Sequence, residues 1–140
     1  MAVAANQVSR YGLHPLHAFL LAGAVPLFLG ALLSDIAYAS SYQIQWSNFA
    51  SWLIAGGLVF GACSLLWAVI DLVRAGRHER RPLVYALLLL ATWVLGFVNA
   101  LVHARDAWAS MPAGLVLSAV VVVLAGAATW IGFSRLGGAA

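Results

Sequence analysis

Four long stretches of hydrophobic residues, separated by short polar connections, fill most of this 140-residue chain. Each stretch exceeds the roughly 18 to 20 apolar residues that a helix needs to cross a bilayer. The pattern therefore predicts an all-α, polytopic integral membrane protein, a four-transmembrane-helix bundle in a single domain, residues 1–140. The predicted helices cover Leu16–Tyr38, Asn48–Val73, Pro82–His103 and Pro112–Phe133.

The composition agrees with this fold and excludes other classes. Hydrophobic residues make up 64% and charged residues 8% of the chain, whereas a soluble domain carries about a quarter charged residues. Four spans use nearly all of the sequence, which leaves no room for a separate soluble catalytic domain. The net charge of +3 lies beside helix ends, so it indicates orientation in a membrane and no nucleic-acid partner. Cys63 has no second cysteine with which to form a disulfide.

Arginines are distributed unequally between the two sides of the predicted bundle. Positive residues that flank short loops stay on the cytoplasmic side of a membrane. Only Arg105 falls on one side. The other six arginines fall on the opposite side, which we predict to be cytoplasmic together with both termini; they are Arg10, Arg74, Arg77, Arg80, Arg81 and Arg135. The first hydrophobic stretch is long enough to span, so we expect it to stay in the protein as a helix.

Two further features predict how the helices bend and pack. Pro26 lies mid-span in helix one, where its missing N–H and its ring predict a bend. Small residues recur at helical spacing in the other helices and allow close backbone approach. We interpret these faces as packing within the bundle, with a homo-oligomer contact as the alternative. They are Gly57 and Gly61, Gly96 and Ala100, and Gly114, Ser118, Ala125 and Gly132.

Ionisable residues at membrane depth are costly, so each is a functional candidate. One group, at the predicted cytoplasmic face, contains His14, His17, Asp71 and Arg74. The two histidines and a carboxylate could bind a metal ion, and either histidine could ligate a haem iron. The structural interpretation is that Asp71 pairs with Arg74 or a histidine and fixes helix one against helix two. Proton exchange is the third interpretation.

A second group lies at the opposite face and contains Asp35, Asn99, His103, Arg105 and Asp106. Asn99, His103 and Asp106 share one face of helix three if that helix continues so far. The functional interpretation is one mouth of an ion or proton path. The structural interpretation, which we favour, is an interhelical hydrogen-bond set in which Arg105 neutralises a carboxylate.

The sequence predicts no continuous polar path between the two groups. His17 and Asp35 are separated by about five helical turns and share a face of helix one. Leu21 and Phe28 fill that face between them, which argues against a permanently open channel. The chain also lacks a nucleophile–base spacing, a phosphate-binding glycine loop and paired carboxylates. We therefore expect a non-catalytic protein.

The start of helix one carries a family resemblance. The string Leu13-His14-Pro15-Leu16-His17, followed by Pro26 and then by Asp35, resembles the bacterial inner-membrane family called domain of unknown function 2231. Its members have a His-Pro-Leu-His start, four spans, a glycine-rich second span and a polar end to the third span. Gly56, Gly57, Gly61 and the segment from Asn99 to Arg105 fit that description, whereas Ala18 stands where a second proline often follows.

The resemblance implies a multi-pass protein of a bacterial inner membrane in contact with the lipid bilayer. Some relatives resemble fusions with Rieske-type iron–sulfur modules, which implies electron-transfer surroundings. We therefore expect an accessory or assembly partner of a larger membrane redox complex, contacting haem or metal through His14 and His17. The alternative is a small transporter of ions, protons or metal, and the second alternative is a purely structural subunit.

Overall fold

The computed structural model describes residues 13–75 and 80–137, and every regular element in these ranges is a helix. Four long helices are each long and apolar enough to cross a membrane, which confirms the predicted fold class. A short helix of one turn, α4, precedes the last span and was not expected from the sequence. The elements are α1 (Pro15–Ser41), α2 (Ile44–Ala75), α3 (Arg80–His103), α4 (Ala107–Ser110) and α5 (Ala113–Gly137).

The four long helices form a ring in which each helix packs against two neighbours. α1 and α3 both pack against α2 and α5, so α1 and α3 occupy opposite corners of the bundle. The turn from α1 to α2 is tight, because Tyr42 adopts a left-handed conformation (φ 54°) and its N–H donates to the Tyr38 carbonyl. We call the end where α1 and α3 begin the His17 end, and the end where they finish the Asp35 end.

The buried positions of the helices follow a repeat of 3.5 residues. This spacing keeps one stripe of each helix against its partners and is typical of left-handed, coiled-coil-like bundles. Two of the stripes consist of His17, Leu21, Ala24, Phe28, Ala31, Asp35 and Tyr38 on α1, and of Pro82, Tyr85, Leu89, Thr92, Gly96, Asn99 and His103 on α3.

Polar side chains lie inside the bundle and large hydrophobic side chains cover its outside. Asp35 is 0% exposed, whereas Trp52 and Trp130 are each 79% exposed. This distribution suits a bundle whose outer surface meets lipid tails, because lipid solvates apolar side chains and rejects charged ones. The described helices therefore form a membrane-embedded bundle.

At two glycines of the predicted small-residue faces, a side chain from a neighbouring helix lies close to the backbone. A Cβ atom on Gly57 would lie 2.7 Å from Cε1 of Phe28, and one on Gly96 would lie 3.5 Å from the same ring carbon. The Phe28 ring thus fills the space that two glycines leave open, as the packing interpretation expects. α1 continues through Pro26, and the bend at that residue stays a prediction.

Candidate functional site: a buried polar network

The main polar feature of the bundle is a network around Asp35 that joins α1, α3 and α5. The Asp35 carboxylate is fully buried. Its Oδ1 lies 2.8 Å from Nε2 of His103, and its Oδ2 accepts a hydrogen bond of 2.5 Å from the Ser118 hydroxyl. In the described part of the chain, Asp35 and His103 are the only pair of an acidic and a basic side chain whose oxygen and nitrogen atoms lie within 4 Å of each other.

The directions of the hydrogen bonds follow from the chemistry of the partners. Nδ1 of His103 lies 2.9 Å from the Asn99 backbone carbonyl, which only accepts, so Nδ1 must carry a proton. The side-chain amide of Asn99 donates to the Ser118 oxygen over 2.8 Å. Since the single hydroxyl proton of Ser118 goes to Asp35, Ser118 is left to accept from Asn99.

These directions fix how many protons the Asp35–His103 pair holds. With Nδ1 already protonated, the contact between Nε2 and Oδ1 requires one more proton between them. That proton gives either an imidazolium beside a carboxylate or two neutral groups, and the pair is electrically neutral in both forms. A neutral pair avoids the several kcal/mol that an uncompensated buried charge costs.

Helix geometry brings the four side chains together. Asn99 and His103 are one turn apart on α3, so the His103 ring can reach the Asn99 carbonyl while facing the bundle interior. Gly114 on α5 leaves room for the ring, because a Cβ atom there would lie 2.8 Å from Cε1 of His103. A larger residue at position 114 would therefore displace the imidazole from Asp35.

Three of the five residues in the predicted second group meet inside the bundle. The structure brings Asp35, Asn99 and His103 together as an interhelical hydrogen-bond set. The expected roles of Arg105 and Asp106 were wrong, because α3 ends at His103 and both residues are exposed in the following turn. The neutralising partner of Asp35 is therefore His103, and Asp106 stands at the start of α4 with no side-chain capping bond.

Ser118 belongs to the hydrogen-bond network, although the sequence did not place it in this group. It was noted only as a small residue on the packing face of the last helix. Its spacing of four residues from Gly114 was a usable signal, because it places a hydroxyl one turn from the glycine that admits the His103 ring.

The His17 end contains the other predicted group, and the structure explains its first residues. His14 precedes α1 and its Nδ1 accepts from the N–H of Leu16 over 3.2 Å, while Pro15 occupies the first helical position. Proline suits that position because its missing N–H would have no helical partner. The exposed His14 ring stacks on Trp67 of α2, with ring centres 4.9 Å apart.

His17 is fully buried and joins α1 to α3. Its Nε2 lies 2.9 Å from the Tyr85 hydroxyl. Asp71 is half-buried and Arg74 is exposed near the end of α2. Within the described ranges, no three or more His, Cys, Asp or Glu side chains are grouped to hold a metal ion. The predicted pairing of Asp71 with Arg74 or a histidine was wrong, because none of these basic side chains lies within 4 Å of the Asp71 carboxylate in the described structure. The contact of His14 and His17 with haem or metal stays a prediction.

Comparison with known proteins agrees with the resemblance at the start of α1. Residues 13–135 match the family described as "Predicted membrane protein (DUF2231)". The chain belongs to this family. No curated protein matches the chain, and no solved structure matches it. The match covers all four membrane-spanning helices of this DUF2231 protein.

Two polar bridges connect opposite corners of this DUF2231 bundle. The His17–Tyr85 and Asp35–His103 contacts each join residues 68 positions apart, one contact at each end of α1 and α3. At a helical rise of 1.5 Å per residue the bridges lie ~27 Å apart, close to the ~30 Å thickness of a bilayer's hydrocarbon core. Leu21 and Phe28, each 2% exposed, fill the interior between them, as predicted.

Proposed function

We propose that this DUF2231 protein is a non-catalytic membrane subunit that binds a proton at the Asp35–His103 pair. It would act as an accessory partner of a larger membrane redox complex in a bacterial inner membrane. The observation that carries the proposal is the buried Asp35 carboxylate, which has donors from two other helices and an imidazole as its charge partner. Ionisable residues inside a membrane mark proton and ion sites by default.

Histidine suits reversible proton binding better than arginine would. An imidazole changes its charge near neutral pH, whereas a guanidinium keeps its proton. The Asp35–His103 pair can gain one proton or lose one, and each change leaves a single buried charge. The Ser118 hydroxyl group donates to the carboxylate and would stabilise its charge, while the Asn99 amide donates to the Ser118 oxygen and orients that hydroxyl group. The pair therefore has the composition of a proton-binding site.

The closed interior supports an accessory role over that of an independent pore. Leu21 and Phe28 lie between the two polar bridges. The Ser64 and Thr129 hydroxyl groups, buried near them, have no hydrogen-bond partner in the described structure. No continuous hydrogen-bonded path that could conduct protons therefore joins the bridges. A proton bound at the Asp35 end would therefore return to the same side of the membrane or pass to a neighbouring protein. Redox complexes need such sites, because electron transfer in membranes is accompanied by proton uptake and release.

Proton uptake by the purified protein tests the proposed site. The double variant Asp35→Asn/His103→Asn should take up about one proton fewer per chain than the wild type when both are titrated with acid over the whole pH range in which they stay folded. Asp106→Asn, which removes an exposed carboxylate near the same end, should match the wild type. Equal uptake by the wild type and the double variant would refute the proton-binding role.

Liposomes distinguish an accessory subunit from a transporter. The accessory role predicts that the wild-type protein alone carries no more protons across liposomes than empty liposomes do, measured with an internal pH-sensitive dye. A proton flux that Asp35→Asn abolishes and Asp106→Asn preserves would instead establish the transporter alternative. A chain with neither proton uptake nor flux would be a structural subunit.

A haem or metal contact at His14 and His17 is the second candidate function. The observation that favours it is the exposed His14 ring, whose Nδ1 accepts the capping hydrogen bond at the start of α1, so that ligation would fall to Nε2. An absorption spectrum and elemental analysis of the purified protein would detect the group. His14→Ala should remove the bound haem or metal. If His17→Ala removed it as well, both histidines would be ligands. A spectrum without a haem band and a preparation without bound metal would exclude this function.

A further inference from the structure

An open groove lies at the His17 end, between the start of α3 and the end of α5. It has a volume of about 460 Å³ and is lined by Arg80, Arg81, Val84, Ile131 and Ser134. Both arginines are exposed. The polar residues lie nearest the helix ends, and the two hydrophobic residues lie closer to the middle of the membrane. The groove therefore changes from cationic to apolar along the direction of a lipid molecule.

The positive charge of this groove has no compensation in the described part of the chain. Among the described residues, neither arginine lies within 4 Å of an acidic side chain; Glu79, which precedes Arg80 in the sequence, is outside those residues. The first turn of α3 contains no acidic residue. A helix N-terminus is itself positive, so two arginines there repel the helix dipole unless an anion is present.

The depth of the arginines matches the phosphate layer of a bilayer. The ~27 Å spacing of the two bridges puts Tyr85 near one edge of a ~30 Å hydrocarbon core, and Arg81 precedes Tyr85 by four residues, or ~6 Å along the helix. The guanidinium groups thus reach the headgroup region. Val84 and Ile131 lie below them, where an acyl chain would run.

We propose that this groove binds an anionic phospholipid, with Arg80 and Arg81 holding its phosphate and Val84 and Ile131 contacting an acyl chain. Arginine forms bidentate, charge-assisted hydrogen bonds with phosphate oxygens. Basic pockets between transmembrane helices bind anionic headgroups for this reason. A lipid with a net negative charge fits better than a zwitterionic lipid, whose own cation already balances its phosphate. This proposal is independent of the proton-binding role.

Lipid retention by the purified protein tests the groove. Wild-type protein mixed with phosphatidylglycerol or phosphatidylcholine in detergent would be measured by native mass spectrometry. The wild type should retain phosphatidylglycerol at least about tenfold more strongly than Arg80→Gln/Arg81→Gln, the loss expected for one or two charge-assisted contacts. Arg105→Gln removes an exposed arginine from the opposite end and should bind like the wild type. Raised salt should weaken the wild-type binding.

Several results would overturn the proposal. If the wild type retained phosphatidylcholine and phosphatidylglycerol equally, the lipid would be held by contacts with its acyl chains alone and not by its charge. An equal loss in Arg105→Gln would show an effect of net charge and not of the groove. The variant Arg80→Lys/Arg81→Lys keeps the positive charge but lacks the planar guanidinium groups that bind phosphate through two hydrogen bonds. It should therefore bind phosphatidylglycerol more weakly than the wild type and more strongly than Arg80→Gln/Arg81→Gln. Wild-type binding by this variant would leave no specific role for the guanidinium groups.

Discussion

At the scale of single residues, the network depends on which atoms donate and which accept. Ser118 both donates to Asp35 and accepts from Asn99, so one hydroxyl group serves two buried partners. Ser64 is buried equally, but its hydroxyl oxygen has no hydrogen-bond partner in the described structure. The two serines therefore form a matched pair with the same side chain, similar burial and different bonding.

Removing the hydroxyl group should have unequal effects at these two serines. Ser118→Ala leaves Asp35 without one donor and Asn99 without its acceptor, so we expect a loss of about 1 to 3 kcal/mol in the free energy of unfolding. Ser64→Ala removes a buried hydroxyl group that has no partner, so it should leave the free energy of unfolding unchanged or raise it by up to about 1 to 3 kcal/mol. Thermal unfolding in detergent measures both. If Ser118→Ala proved as stable as Ser64→Ala, the network would contribute nothing measurable to stability.

At the scale of elements, the helices could be predicted from the sequence but their pairing could not. Long apolar stretches define spans because each must cover the bilayer thickness. The diagonal contact between α1 and α3 depends on side chains that reach across the bundle from a 3.5-residue stripe. The sequence identified Asp35 and His103 as candidates by depth, yet depth alone did not exclude Arg105. The end of α3 at His103 decided between them.

Glycines on one helix should differ sharply in their tolerance of a methyl group. Gly114→Ala would press against the His103 ring, which two hydrogen bonds hold in place. We expect it to cost about 1 to 3 kcal/mol of stability. Gly126 on the same helix has no atom within 4 Å of an added Cβ, so Gly126→Ala should be neutral or stabilising by up to about 1 kcal/mol. Equal melting temperatures of the two variants would contradict the described packing.

At the scale of the whole molecule, four spans place the start of α1 and the end of α5 at the same end of the bundle. Which side of the membrane that end faces follows only from the arginine distribution. The structure describes the side chains of three of the six arginines on that side, Arg74, Arg80 and Arg81. All three are exposed at the His17 end. Arg105 is exposed at the Asp35 end. The positive-inside rule thus predicts that the His17 end faces the cytoplasm.

Fusion reporters test this orientation. A reporter that works only in the periplasm should be silent when attached after Ala140, and a cytoplasmic reporter at the same place should be active. The reverse pattern would show that the Asp35 end faces the cytoplasm. The proton-binding site would then lie on the cytoplasmic side, and the arginine groove would face the outer leaflet.

In the proposed role, the Asp35–His103 pair holds one exchangeable proton beside an Nδ1 that stays protonated. Nitrogen-15 NMR of the His103 imidazole measures both ring nitrogens directly in the folded protein. When the pH is scanned over a wide range, Nδ1 should stay protonated throughout, while the protonation of Nε2 should change at one point in the scan. In Asp35→Asn the pH at which Nε2 changes should shift. A protonated Nε2 beside a bare Nδ1, or a His103 spectrum that is the same throughout the range, would contradict the account.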